Sequence, residues 1–417
     1  VVLTALLTFL CAVYTVKRLP EPGRPQAFVA LLLLLEAGML GTFLALDLIL
    51  FFVFFEVVLV PMYFLIAVWG GSERKGYAAT KFILYTLLGS AFLLVGFLGV
   101  YFGSGSHTFD VTRLAAARGA GMSHAVQDFV FAAFVVGFGV KTPMWPLHTW
   151  LPDAHTEAPT VGSVLLAGVL LKMGTYGFVR IALPVAPQGA HDFAPYLGGL
   201  AAVGIVYGSL VCLAQRELKR LVAYSSVGHM GFVLLGIATL TPTGVNAALY
   251  GNVAHGLITG LLFFLVGSLK DRYHTDAIGE IGGGMLVKLP YVGGLLGYAA
   301  VASLGLPGLA GFWGEMLSML AAFRPAAGLS RPVFLAFMAM GGVGTVVTAA
   351  YFLRMLMRVN LGVVPERWRA TRFADAGVIE LAAWTPLVVL VLALGLYPRL
   401  VLGITDAVVR QLFGGGP

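Results

Sequence analysis

Apolar residues run for about twenty positions or more, again and again, along this chain, and the polar stretches between them are short and rich in Gly and Pro. A helix needs about 20 mostly apolar residues to cross a bilayer core, roughly 30 Å at about 1.5 Å per residue. On that basis spans fall near residues 1–16, 27–47, 48–69, 77–102, 128–148 and 158–183. Others follow near 194–213, 219–240, 245–269, 288–322, 332–358 and 379–400. The expected fold is an all-α polytopic membrane protein with about 12 transmembrane helices and no separate soluble domain.

Two of these runs are interrupted in a similar way. One reads G-F-G-V-K-T-P-M-W-P from Gly137 to Pro146, and the other S-L-G-L-P-G-L-A-G-F-W-G-E from Ser303 to Glu315. Proline removes a backbone donor and clashes with the preceding turn, so both spans should be broken helices. Paired interruptions in corresponding places suggest inverted repeats around an ion path. The expected organisation is an N-terminal helix in 1–26, a first five-helix repeat over 27–183, a second, inverted one over 194–358, and a C-terminal helix within 379–417.

Composition agrees with lipid as the main solvent. Of 417 residues, 59% are hydrophobic and 11% charged, where a soluble domain carries about 25%. The net charge of +7 is read as positive-inside loops rather than nucleic-acid binding. One side collects Lys17, Arg18, Arg24, Arg74, Lys75, Arg216, Lys219, Arg220, Lys270 and Arg272, and later Lys288 and Arg358. That side should be cytoplasmic, with the C-terminus outside. Cys11 and Cys212 belong to no metal or disulfide pattern, and no phosphate-binding loop occurs. Any driving energy must come from outside this chain or from an ion gradient.

Against this background the buried ionisable residues stand out, since a charge at mid-bilayer costs roughly 2.5–3.5 kcal/mol on insertion scales. Glu56 sits in F-F-V-F-F-E-V-V-L-V-P-M-Y, too short to reach an interface. Lys141 precedes Pro143 in the first break, and Lys172 lies in L-L-A-G-V-L-L-K-M-G-T-Y-G-F. His229 and His255 are mid-span, and Glu315 follows the second break. For each a plainer alternative exists: a hydrogen-bonded packing residue, a snorkelling lysine, or an ion pair serving helix assembly. Six in one chain favour a proton path, with histidine as a relay that titrates near neutral pH. Glu36 and Asp47 read as an interface acid or helix cap, and Lys81 and Arg354 as snorkelling. His148, Asp153, His155 and Glu157, in W-P-L-H-T-W-L-P-D-A-H-T-E-A-P, read as a turn with capping acids rather than a metal cluster, because no H-E-x-x-H spacing is present.

Several long motifs in order resemble the antiporter-like subunits of proton-pumping NADH–quinone oxidoreductase (respiratory complex I), a family related to multisubunit cation/proton antiporters. They are F-F-E-V-V-L-V-P-M-Y-F-L-I-A-V-W-G-G, K-T-P-M-W-P-L-H-T-W-L-P-D-A-H-T-E-A-P, L-L-K-M-G-T-Y-G-F, L-K-R-L-V-A-Y-S-S-V-G-H-M-G-F and L-G-L-P-G-L-A-G-F-W-G-E. A glutamate, Glu315, after L-P-G-L-A-G-F resembles the M-type branch. The resemblance implies a fold of fourteen transmembrane helices, so that two would precede Val1. It implies Glu56 and Lys141 as an input-side coupling pair, Lys172 on a broken helix as central carrier, His229 and His255 on the connecting axis, and Glu315 on the outer half-channel. It implies no cofactor or metal on this chain, with NADH, FMN, iron–sulfur clusters and quinone on partner subunits. Partners would be the other membrane subunits of the complex, above all the two other antiporter-like ones, and lipid. The location would be a bacterial cytoplasmic membrane. The competing reading is a large subunit of a sodium/proton antiporter complex or a membrane-bound hydrogenase.

Overall fold

The computed structural model describes residues 1–413, and helices account for nearly all of its regular structure. The principal helices are α1 (Val2–Thr15), α2 (Pro25–Leu44), α3 (Leu48–Trp69), α4 (Lys75–Gly103), α5 (His124–Lys141), α6 (Trp150–Glu157) and α7 (Thr160–Val185). They continue with α8 (Pro187–Ala214), α9 (Leu218–Ala238), α10 (Pro242–Tyr273), α11 (Pro290–Ser303), α12 (Ala310–Phe323), α13 (Arg331–Val359), α14 (Val378–Leu396) and α15 (Arg399–Leu412).

Among the described residues ten of these helices are long and apolar enough to cross a membrane. That is fewer than the about 12 read from hydropathy alone, for two local reasons. α1 is 14 residues long. The apolar run over 288–322 is two helices, because residues 304–309 turn aside, with Gly305 and Gly308 at φ +81° and +96°. Two expected boundaries also shift. α5 stops at Lys141, where the sequence run continues to 148, and α6 follows as a separate short helix. Pro398 ends α14's segment, and α15 forms a further helix beyond it; residues 414–417 of the expected C-terminal unit lie outside the described residues.

Burial locates the centre of the bundle. In α10, α7 and α9, 94%, 89% and 89% of the apolar window is covered by protein, against 22% in α13 and 33% in α2. The first three are therefore core helices, and the last two leave most of their surface uncovered by this chain. Small residues let the core helices approach: α8 and α9 touch at Gly208, whose added Cβ would lie 2.8 Å from the Gly228 nitrogen. Charges also tie helices together. Arg272 of α10 and Glu380 of α14, both almost fully buried, pair at 2.7 Å, and Arg18 reaches the same carboxylate at 3.3 Å.

A small device recurs. Leu48 N–H donates to the Phe109 carbonyl and Val111 N–H to that of Leu46, closing an antiparallel bridge between Asp47 and Asp110. Leu218 N–H and Ile278 N–H make the same two bonds to Asp276 and Arg216, bridging Glu217 and Ala277. Each bridge sits immediately before a helix, α3 or α9, and clasps it to the segment that leaves the following helix. Asp47 also caps α3, accepting from Ile49 and Leu50 N–H at 2.9 and 3.0 Å.

Candidate functional site: a buried lysine–histidine–glutamate axis

Lys172 is held in the middle of α7 between two π-helical turns, Leu166–Leu170 and Phe178–Ala182. A π turn widens the helix and redirects its carbonyls, a distortion common at functional sites. Here the Ala167 carbonyl accepts from the Lys172 ammonium. The same Nζ lies 2.6 Å from Nδ1 of His255, on α10. Lys172 and His255 are 5% and 6% exposed, so this contact is made in the bundle interior.

The line continues from α10 to α9 and α12. The rings of His255 and His229 meet edge to face with centroids 5.6 Å apart. His229 Nδ1 lies 2.9 Å from Glu315 Oε1, and its Nε2 lies 2.9 Å from Ser303 Oγ, so both ring nitrogens are engaged. The broken helix makes this possible. Ser303 ends α11, Glu315 lies in the second turn of α12, and Gly305 between them has its backbone against the carboxylate. A Cβ at 305 would lie 3.2 Å from Glu315 Oε2, on a backbone with φ +81° that favours glycine. A cavity of about 30 Å³ adjoins the junction, lined by His229, His255, Thr259, Ser303, Gly311 and Glu315. It has room for about one or two water molecules, and His255 Nε2 is a buried atom without a protein partner.

Glu56 and Lys141 stand apart from this line. Lys141 ends α5, is 2% exposed, and has its ammonium 4.7 Å from the centroid of the Phe55 ring. Phe55 is the neighbour of Glu56 in α3, yet no ion pair within 4.0 Å joins Glu56 to Lys141. One oxygen of Glu56 and the Lys141 ammonium are both buried without a hydrogen-bond partner. The expected pair is thus not a direct contact: Lys141 instead lies over the ring of Phe55, the residue before Glu56. α7 approaches this region closely: a Cβ on Gly174, two residues after Lys172, would lie 2.7 Å from the Phe138 carbonyl and 2.9 Å from the Thr142 nitrogen. Thr175 then hydrogen-bonds Asn252 of α10 at 3.1 Å.

The run from His148 to Glu157 differs from its reading as a turn with capping acids. It contains α6, packed into the bundle, with His148 and His155 2% and 0% exposed. His155 stacks on Phe263 at 4.5 Å, and neither of its ring nitrogens has a hydrogen-bond partner. Asp153 is an ion-pair partner, 2.6 Å from Lys81 and 3.9 Å from Arg220, so Lys81 does not snorkel freely. Lys219, counted as a loop cation, is buried and donates to the Ala158 carbonyl. A lysine one residue into a helix reads as a loop charge in sequence, and only the packing of the α6 segment over it reveals otherwise. Arg272, likewise counted as a loop cation, is buried against Glu380, which the sequence pattern does not single out.

Fold and site together define a polytopic helical membrane protein whose interior carries a connected row of ionisable side chains. The chain belongs to the NADH:quinone oxidoreductase/Mrp antiporter transmembrane family, whose model matches residues 45–346. It is 42% identical over 415 residues to NADH-quinone oxidoreductase subunit M of Rhodobacter capsulatus, covering 98% of this chain and 79% of that one. It is 40% identical over 413 residues to subunit M of Rickettsia bellii (strain RML369-C), covering 98% and 80%. Among solved structures, a chain of respiratory complex I from Thermus thermophilus with bound NADH superposes with a TM-score of 0.87 at 32% identity, covering 99% of this chain and 84% of that one. A chain of the Mrp complex from Dietzia sp. DQ12-45-1b shares the fold, with a TM-score of 0.83 at 23% identity over 99% and 82%.

Proposed function

We propose that this chain translocates protons as a non-redox, antiporter-like membrane subunit of an NADH–quinone oxidoreductase in a bacterial cytoplasmic membrane. The observation that carries this is the unbroken succession Lys172–His255–His229–Glu315 inside the bundle, each member within hydrogen-bond or ring contact of the next. Such groups are expensive to bury in a membrane and are kept there for transfer of charge. A proton leaving Lys172 is accepted by His255, crosses the His255–His229 gap through the adjoining cavity, and reaches Glu315 through the His229 ring. Glu315 releases it toward the outer side, where the C-terminus also lies.

Glu56 and Lys141 supply the trigger. An ionised Glu56 favours a charged Lys141 through space, and a change of charge in a neighbouring subunit weakens that preference. Lys141 then passes its proton toward Lys172, across the Gly174 approach and the Thr142 and Thr175 hydroxyls. Moving one charge against 100 mV requires about 2.3 kcal/mol, an energy of the scale set by bringing or removing a charge beside a buried lysine. NADH, FMN, iron–sulfur clusters and quinone belong to partner subunits, and the immediate partners are the other two antiporter-like subunits and lipid. The recurrence of the Asp47–Asp110 bridge as Glu217–Ala277, and of a broken helix after α5 and α11, supports two inverted units over 27–183 and 194–358.

The test is proton pumping by inverted membrane vesicles that carry the assembled complex with Lys172→Met, Lys141→Ala or Glu56→Gln. NADH-driven acidification should fall by about tenfold or more, the effect of roughly 1.4 kcal/mol on a transfer step. Unchanged pumping in an assembled Lys172→Met complex overturns the proposal.

A further inference from the structure

At the end of the bundle where α5 and α8 begin, a second group of ionisable side chains lies apart from the axis. His124 and Asp128 are one turn apart on α5, which puts them on the same face. Asp192 lies near the start of α8, which runs beside α5. His124 Nε2 touches Asp192 Oδ2 and lies 3.8 Å from Asp128 Oδ1, and the three ligand atoms all fall within 4.8 Å of one another.

We propose that His124, Asp128 and Asp192 form a binding site for a divalent transition-metal ion of the Zn²⁺ class, clipping α5 to α8. One imidazole nitrogen with two carboxylate oxygens suits Zn²⁺ better than Ca²⁺ or Mg²⁺, which prefer all-oxygen sets. Bonds of about 2.0–2.1 Å in a tetrahedral site set ligand atoms roughly 3.3 Å apart. Ligation requires His124 Nε2 and Asp192 Oδ2, now in direct contact, to part toward that spacing and Asp128 Oδ1 to close in from 3.8 Å, and the exposed side of His124 leaves a fourth position for water.

Two independent features point to a ligand. Asp128 Oδ1, the oxygen that faces His124, is closed off from solvent and has no hydrogen-bond partner. The Asp128 side chain is 38% exposed as a whole, so it is this one enclosed oxygen, 3.8 Å from His124 Nε2, that a cation between it and the ring would satisfy. The outer surroundings are also built to hold the carboxylates in place. His191 Nδ1 lies 3.5 Å from the other Asp192 oxygen, which turns Oδ2 toward His124. Beneath the site Gln127 and Gln188 are joined twice, Gln188 N–H to Gln127 Oε1 at 3.1 Å and Gln127 Nε2 to Gln188 Oε1 at 3.3 Å, so the two helix starts are fixed relative to each other.

The purified intact complex, stripped with a chelator and dialysed against low-micromolar ⁶⁵Zn²⁺, provides the measurement. Wild type should retain one zinc more per complex than His124→Ala or Asp192→Asn, with affinity reduced at least tenfold, whereas His107→Ala should match wild type. Should a variant fail to assemble, zinc-edge anomalous density from the wild-type complex decides: a peak between His124 and Asp192 upholds the site. Equal zinc retention in wild type and both variants, or zinc-loaded wild type without such a peak, overturns it and leaves an ordinary histidine–aspartate pair.

Discussion

Lys172 Nζ and His255 Nδ1 approach to 2.6 Å across the interface of α7 and α10, the two helices most thoroughly enclosed by the rest of the chain together with α9. At this distance the Lys172 ammonium can donate to His255 Nδ1 while it also donates to the Ala167 carbonyl. Replacing His255 with Leu removes the acceptor and leaves the Lys172 ammonium on the Ala167 carbonyl alone. Pumping by the assembled complex should then fall about tenfold or more, read as the initial rate of dye quenching in vesicles.

His229 is the one ring whose two nitrogens both have side-chain partners in the axis, Glu315 and Ser303. His229→Phe should abolish outward release while the complex still assembles. Ser303→Ala should have a smaller effect, about twofold to twelvefold, because a neutral hydrogen bond contributes about 0.5–1.5 kcal/mol and the Glu315 contact remains. Comparison of the two pumping rates at equal NADH oxidation checks this order.

The Arg272–Glu380 pair holds α10 to α14 with both side chains less than a tenth exposed. Glu380→Ala strands a buried guanidinium and should destabilise by about 3–5 kcal/mol. The double variant Arg272→Met, Glu380→Leu should recover most of that loss. Thermal melting of the detergent-solubilised complex distinguishes the two.

Gly174 faces the Phe138 carbonyl and the Thr142 nitrogen at distances that exclude a side chain. Gly174→Ala should destabilise by about 1–3 kcal/mol through overpacking, and Gly174→Leu should prevent incorporation of the chain into membranes. Immunoblotting of membrane fractions reads the outcome. Normal incorporation of Gly174→Leu would show that α7 and α5 separate freely at this point.

The Lys81–Asp153 pair, 2.6 Å long and about one-fifth exposed on each side, should matter far less. Asp153→Asn should shift stability by about 1 kcal/mol at most, the range of partly solvated pairs.

Hydropathy determined the class of this protein, because helices in lipid must satisfy every backbone group internally and therefore announce themselves as long apolar runs. The six ionisable residues within or beside the apolar runs were legible for the same reason, since a charge among Phe, Val and Leu has no other cheap place to be. Of the two readings offered for Asp47, interface acid or helix cap, the cap is the one that local backbone geometry settles. Tertiary structure alone decided which of the six meet. Lys172, His255, His229 and Glu315 come from four helices, and their contacts depend on a π-distorted α7 and on a glycine turn between α11 and α12. The same holds for Glu56 and Lys141, which make no direct ion pair although Lys141 lies over the ring of Phe55, the residue before Glu56. Lys219, His155, Arg272 and Glu380 escaped the sequence because burial at a helix end is set by what folds over it, a relation between distant segments that no local pattern encodes.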